Sequence, residues 1–400
     1  MENAMYNNMI HTPEGVRDIY GDELKRKLEI KNKIHKKIGS YGFKDIETPT
    51  FEYFDIYNDV GTTPSKELYK FFDKDGNILA LRSDFTPSIA RCCSKYFLED
   101  KVPVRLCYEG NSFTNFNDLQ GKLKEYTEIG AELIDNDGLA DADAEMICLS
   151  IEVLKAAGLK DFMISVGQIN YFKSICDEIN LSEDDFEKLR SYIALKNYFG
   201  AREFLESLSV APEKISNLLD VTTYTSVEEL TKFKTKLTNE GAIKAIDRLV
   251  EIYDIIKLYG LEKYVSFDLL LINKFHYYTG VIFRAYTYGT GDAVIKGGRY
   301  DKLLSKFGKD SKAIGFSVLI DDLLTAMKAQ DITSVINEDH ANVIYDEKSR
   351  DKAFARIKEL RERGTTVSAY CVTDKASLEL YKERSDSACI RFETFLHGGK

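Results

Sequence analysis

An α+β fold is predicted for this chain: strands and flanking helices, broken by a helical insertion and followed by a small α/β module. Three observations predict it. Short strand-like runs alternate with helix-period runs through residues 1–330, residues 171–261 carry helical periodicity alone, and strand and helix patterns alternate again from residue 338 to 400.

The chain opens with an amphipathic helix in which Leu24, Leu28, Ile34 and Ile38 are predicted to share a buried face. Short β-rich segments follow at Asp45–Thr48, Asn77–Leu81, Val104–Tyr108 and Tyr126–Leu133. A helix is then expected over Asp141–Ala157, with Ile147, Ile151 and Leu154 on one side, and a strand over Phe162–Gly167. The helical insertion runs from about Tyr171 to Leu261, with loop punctuation at Ala211-Pro212 and a long last helix bearing Ile243, Ile246, Leu249, Val250, Tyr253 and Ile256. Strands return at Tyr264–Ile272, Tyr277–Tyr288 and Asp292–Ile295, and Ile314–Lys328 closes the core. In the last module the order is strand Ala341–Tyr345, helix Asp351–Arg363, strand Thr366–Val372, helix Lys375–Arg384 and strand Ala388–Glu393, the pattern of a parallel sheet.

Composition bounds the function. A hydrophobic fraction of 44% and an aromatic fraction of 12%, all Tyr and Phe, suffice for ordered cores. No apolar run reaches the roughly 18 residues of a membrane span, and the opening MENAMYNNMIHTPEG lacks the basic and apolar regions of a secretion signal. A cytoplasmic location is expected. Seven cysteines (Cys92, Cys93, Cys107, Cys148, Cys176, Cys371 and Cys389) form no CxxC pair, which argues against a disulfide framework and a zinc site. With 55 basic against 65 acidic residues the net charge is −10, and residues 338–400 hold twelve of each. Nucleic acids are bound largely through Lys and Arg, so tRNA is a disfavoured partner.

The segment Tyr277–Asp301 carries the most information. It reads as an aromatic strand, a turn at Gly289, Thr290 and Gly291, and a second strand ending in Gly297-Gly298, glycines that let backbone approach a ligand closely. By themselves Tyr277 and Tyr278 suit cross-strand packing and Asp84 suits a turn or cap. Glu109, Glu128 and Glu132 fall on strands, where alternating charges suit a solvated face. Glu128 and Glu132 are four apart, so they point to one side of their strand and need a cationic partner there.

Tyr277-Tyr278-Thr279-Gly280 with the later Gly-Gly-Arg-Tyr-Asp of 297–301 resembles the histidine-specific hairpin of histidyl-tRNA synthetases and of their non-catalytic paralogues, the regulatory subunits of ATP phosphoribosyltransferase. Thr12–Asp18 resembles the opening loop of that family, Leu81–Pro87 its substrate loop, Gly121–Glu132 its motif 2 and Ala313–Leu323 its motif 3. These matches come in family order over about 11–328, so the resemblance implies a class II aminoacyl-tRNA synthetase-like core, an antiparallel sheet flanked by helices, with residues 338–400 similar to a shortened anticodon-binding domain. It further implies a histidine-like ligand pocket. Asp84 and Thr86 take the α-amino group, Glu132 and Tyr278 the imidazole, and Tyr300 the back of the site; Tyr277 is a further pocket residue, and Glu128 replaces the family's glutamine. A carboxylate there is unfavourable opposite a ligand carboxylate.

The departures fall on the synthetases' arginines. Mapped by resemblance, Gly110 stands at the motif 2 arginine, Asp322 at the motif 3 arginine and Asn273 at the histidine-specific one. Each charge-assisted contact contributes roughly 1.5–3 kcal/mol, and a donor aimed at developing charge is worth about a hundred- to thousand-fold in rate. Lys274 and Arg284 lie nearby, yet a lysine lacks the planar fork that grips phosphate twice. The resemblance therefore implies a subunit with no activity, cofactor or metal of its own, which joins a short-form ATP phosphoribosyltransferase catalytic subunit in histidine biosynthesis with histidine as effector. Self-association is expected through Gly21–Tyr41 and Glu47–Tyr57, Pro49 included. An active histidyl-tRNA synthetase and a paralogue serving another partner stay open as alternatives.

Overall fold

The computed structural model describes residues 10–58, 63–99, 102–115, 122–135, 137–272, 278–332, 339–387 and 390–397. The chain forms two compact units that divide after Thr333. In the first, eight strands make one sheet, in the order Lys44–Asp45, Val104–Phe113, Glu125–Ile134, Ala313–Leu319, Ile295–Arg299, Val281–Thr287, Phe162–Gln168 and Val265–Phe267. The six inner strands are mutually antiparallel, and the two short edge strands pair parallel to their neighbours.

Alternation along the strands gives the sheet two different faces. On one, Cys107, Ile129, Ala131, Leu133, Ile314, Phe316 and Phe283 pack against the helices Gly21–Gly39 and Ala140–Ala157 in the larger core. On the other, Leu106, Tyr108, Ile134 and Tyr300 pack under the helix Thr86–Tyr96 and the turn Leu304–Phe307, and the remainder of that face is left for the cavity. The first helix differs from its expected pattern. Its buried side is Lys27, Ile30, Ile34 and Ile38, while Leu24 and Leu28 are exposed, because at 100° per residue Leu24 and Leu28 lie well off the 30–34–38 stripe.

Six helices, Ile169–Ile179, Glu183–Ala194, Tyr198–Ser207, Pro212–Leu219, Val227–Lys234 and Glu240–Leu258, occupy the insertion. A capping box of Ser226 and Glu229 starts the fifth, and Pro212 takes the first helical position of the fourth. The last returns to the core, with Ala245, Ile246, Leu249, Ile252 and Ile256 buried.

Several boundaries move. Ile314–Lys328 divides into the strand Ala313–Leu319 and the helix Ile320–Ala329. The hairpin's second strand is Ile295–Arg299 rather than Asp292–Ile295, so Gly297 and Gly298 lie within it. They do not terminate it, because Phe283 and Tyr278 fill the space that a Cβ on Gly297 or Gly298 would need. The first strand begins at Val281, and Tyr277 falls outside the described residues. Strands at Phe51–Tyr53 and Lys70–Phe72, absent from the sequence reading, flank Ile78–Leu81 in a separate three-stranded antiparallel sheet.

The second unit is a three-stranded parallel sheet with His340–Tyr345 between Thr366–Cys371 and Arg391–Phe395, together with the helices Arg350–Glu362 and Lys375–Ser387. Ala341, Val343, Ala353, Ile357, Leu360 and Val367 form its core. The last strand starts three residues later than the pattern Ala388–Glu393 predicts.

One ionic node joins three distant parts of the first unit. Asp143, fully buried, accepts from Arg299 Nε at 2.8 Å and from Arg248 Nε and Nη2 at 3.0 and 2.7 Å. Asp143→Ala would take from both guanidinium groups their shared buried acceptor, so the urea midpoint is expected to fall by the equivalent of about 3–5 kcal/mol; a loss below about 1 kcal/mol would contradict this role.

Candidate functional site

The cavity face is built by cross-strand register. Glu132 stands opposite Gly315, Gly315 opposite Gly298, and Gly298 opposite Ile282. Glycine in the middle of that row is a spatial necessity, since a Cβ on Gly315 would lie 1.6 Å from Glu132 Oε2 and one on Gly298 would lie 2.7 Å from the Tyr278 ring. In the next row Gly130 makes room for Tyr108, whose ring stacks on Phe85 with centroids 4.4 Å apart. The outer face of Phe85 carries the Arg82 guanidinium at 4.1 Å.

The result is a cavity of about 350 Å³ whose wall includes Asp84, Thr86, Glu128, Glu132, Tyr278 and Tyr300. These are six of the seven pocket residues mapped from the sequence. The seventh, Tyr277, and the position Asn273 lie outside the described residues. The structure also adds members that spacing did not point to: Tyr108, Tyr126, Ser317, Asp292, Lys296 and Ala194 of the insertion. Glu109 is separate from this group; it is partly exposed and paired with Lys31 at 2.5 Å.

Glu132 is 1% exposed and is held from two sides, by the Thr86 hydroxyl at 2.9 Å and by the Tyr300 hydroxyl. Asp84 accepts the Thr86 backbone N–H at 3.0 Å, an Asx turn that opens the helix Thr86–Tyr96. Burial pushes the Glu132 carboxyl up to about 8 against the pull of those hydroxyls, with the charge of Asp84 adding to the rise. Burial and then Asp84 raise Glu128 to about 8 as well, and burial raises Asp84 itself. Glu128 and Glu132 therefore hold protons near neutrality unless a cation arrives. An α-ammonium or an imidazolium supplies that charge, so this end of the cavity is suited to a cationic, N–H-rich group.

Gly110 and Asp322 are absent from the cavity wall. Gly110 faces the Arg82 guanidinium, whose Nη2 would come within 2.5 Å of an added Cβ, and Arg82 also donates to the carbonyls of Asn111 and Thr48 at 2.7 and 3.1 Å. A resident arginine thus already fills the space beside Gly110, and of that strand Tyr108 and the following Thr114 reach the cavity. Asp322 lies beside it, its carboxyl raised by burial although Lys296 draws it down. Its neighbour Asp321 is structural, bonded to Lys27 at 2.7 Å and to the Thr127 N–H at 2.7 Å. On the opposite face of the sheet His35, Asp45 and Cys107 bring their ligand atoms within 4.8 Å of one another, around a His35–Asp45 contact of 2.7 Å.

Residues 15–323 match the family model described as histidyl-tRNA synthetase. An ATP phosphoribosyltransferase regulatory subunit from Acetivibrio thermocellus is 37% identical over 361 residues, which cover 90% of this chain and 86% of that one. The chain belongs to the family of ATP phosphoribosyltransferase regulatory subunits. A second member, from Caldanaerobacter subterraneus, is 37% identical over 366 residues, 90% of this chain and 94% of its own. A crystal structure described as an ATP phosphoribosyltransferase regulatory subunit/histidyl-tRNA synthetase from Bacillus halodurans superposes with a TM-score of 0.86 at 30% identity, over 98% of this chain and 99% of that one. Histidyl-tRNA synthetase from Nostoc, 19% identical with a TM-score of 0.79 over 96% of this chain and 90% of that one, shares the fold. The regulatory-subunit family thus has a class II synthetase-like core, and no helix among the described residues is long and apolar enough to cross a membrane.

The raised carboxyls predict a pH signature. From the ordinary carboxylate range up to about 8 the folded Glu132 carboxyl keeps a proton that the unfolded chain has released. That contribution to stability is full below the ordinary range and is lost as pH rises through about 8. Glu132→Gln is therefore expected to melt higher than the native chain at pH 8.5, by roughly 2–4 °C per kcal/mol recovered, with the gap narrowing toward pH 5. A gap independent of pH would contradict the assignment.

Proposed function

We propose that this chain is the non-catalytic regulatory subunit of ATP phosphoribosyltransferase: it completes a short-form catalytic subunit for the first step of histidine biosynthesis and carries histidine feedback control. The observation that carries this reading is a cavity with an amino-acid-like acidic end; beside it stands Asp322, which the sequence resemblance aligns with the arginine that holds phosphate in the synthetases. The family's relatives are named regulatory subunits, and that name implies a catalytic partner.

Adenylation needs a cationic clamp around three phosphates. Of the three cations among the described cavity residues, Lys296 is paired with Asp292 at 3.1 Å, Lys122 approaches the same carboxylate at 3.8 Å, and Arg284 alone has no acid at ion-pair distance. Coulomb attraction to a triphosphate is blunted by that shared acid, and Asp322 adds a second negative charge beside it. Histidine suits the acidic end instead, with its ammonium toward Asp84 and its imidazole toward Glu132. Binding a charged ligand there shifts the carboxyls toward ionisation, a change that can be coupled to a partner site by linkage.

The test is reconstitution with the short-form phosphoribosyltransferase of the same organism. A complex on gel filtration and activity rising from near zero to a plateau at a fixed ratio are expected, with histidine-dependent pyrophosphate exchange at background. Exchange above a no-enzyme control would favour a synthetase, and absence of both complex and activation at micromolar concentrations would leave the proposal without support.

Self-association belongs to the same proposal. The small sheet leaves Phe51 51%, Tyr53 58% and Phe72 73% exposed, and Leu24 and Leu28 are exposed on the first helix. Such apolar surface suits a two-fold contact between copies. Sedimentation of Tyr53→Asp/Phe72→Asp is expected to show a monomer where the native chain shows a dimer; an unchanged mass would move the interface elsewhere.

A further inference from the structure

Two cations stand side by side on the cavity face, and internal ion pairing accounts for only one. Lys296 and Arg284 are register partners on adjacent antiparallel strands, which places their Cβ atoms about 4.5–5.5 Å apart. Both line the cavity. Like charges directly opposite one another destabilise a sheet unless something neutralises them. Asp292 does so for Lys296, at 3.1 Å, and with Lys122 it is also within 3.8 Å. Arg284 forms no ion pair among the described residues, and its Nη2 donates to the Ile272 carbonyl at 3.1 Å. A guanidinium carries five N–H donors in a planar fork suited to an oxyanion.

The rest of the cavity has the opposite character. Asp84, Glu128 and Glu132 line it too, so one space holds a carboxyl-rich region and a cationic one. A ligand with positive charge alone would leave Arg284 with only the longer-range field of Asp268, and one with negative charge alone would meet the carboxyls.

We propose that Arg284 and Lys296, with Lys122 at the rim, form an oxyanion subsite that takes the acidic end of a ligand whose cationic end meets Asp84 and Glu132. This rests on the reading of the cavity as an amino-acid site and deepens it. It also answers the problem that Glu128 sets for a ligand carboxylate, which turns instead toward the strand pair that carries Lys296 and Arg284. The oxyanion is a carboxylate or a phosphoryl group, and the two sources separate by experiment.

Calorimetry on the full chain with L-histidine, histamine and inorganic pyrophosphate tests it, using native protein, Arg284→Gln and Lys296→Gln. Native protein is expected to bind histidine about 10-fold or more tightly than histamine, which lacks the carboxylate. Both variants are expected to lose that preference while histamine affinity stays within about twofold. Arg284→Gln breaks no ion pair among the described residues, so it is expected to leave the melting temperature of the free protein unchanged, which separates lost binding from lost folding. Histidine binding unchanged in both variants overturns the subsite and leaves the amino-acid reading intact. If neither amine binds but pyrophosphate does, and Arg284→Gln abolishes it, the amino-acid reading fails and the subsite stands with a phosphoryl ligand. Failure of all three probes overturns both.

Discussion

The buried Asp143 carboxylate is the constraint on which the first unit turns. It lies near the start of the helix Ala140–Ala157 and receives Arg299 from the Gly-Gly-Arg-Tyr-Asp strand and Arg248 from the last helix of the insertion. Arg299 also meets Asp301 at 3.1 Å, and Asp301 accepts the backbone N–H of Ala313 at 3.1 Å. Between these two anchors sits Tyr300, whose hydroxyl bonds Glu132. Desolvating such a set of charges is expensive, and removing one member leaves the others short of a buried partner. The same node that fastens the insertion to the sheet therefore aims the back wall of the cavity.

Under the proposed function, one scaffold exchanges one chemistry for another. Its floor depends on small residues at Gly130, Gly298 and Gly315, which admit Tyr108, Tyr278 and Glu132. Those are geometric requirements, indifferent to whether the ligand reacts. The charges around them are what a reaction would need, and here they are redistributed: carboxyls at Asp84, Glu128 and Glu132, cations confined to the strand pair bearing Arg284 and Lys296 and to Lys122, and an acid at Asp322. Under the proposed function, binding and catalysis separate at the level of a few side chains.

Much of this was legible in the sequence where the information is local or carried by ordered motifs. The spacing of Glu128 and Glu132 placed them on one side of a strand, the hairpin announced close backbone approach, and the strand–helix alternation after residue 338 gave a parallel module. Other features depend on contacts between distant segments. Lys296 enters the cavity because of its register with Arg284 and Ser317, which no spacing along one strand reveals. Gly110 lost its place facing a ligand because Arg82, 28 positions earlier, occupies that space. Leu24 and Leu28 looked like core until the helix settled on the stripe of Ile30, Ile34 and Ile38. Phe51–Tyr53 and Lys70–Phe72 escaped notice because three-residue strands carry too few alternations to be read.

The most direct test of the central claim, that this cavity serves regulation, is histidine inhibition of the reconstituted phosphoribosyltransferase. It should be measured for complexes containing the native chain or Asp84→Ala, each normalised to its own activity without histidine. The account predicts that the half-inhibiting histidine concentration rises about 10-fold or more in the Asp84→Ala complex, the loss of one charge-assisted contact to an ammonium. Superimposable inhibition curves for the two complexes would contradict it and place the effector site outside this cavity.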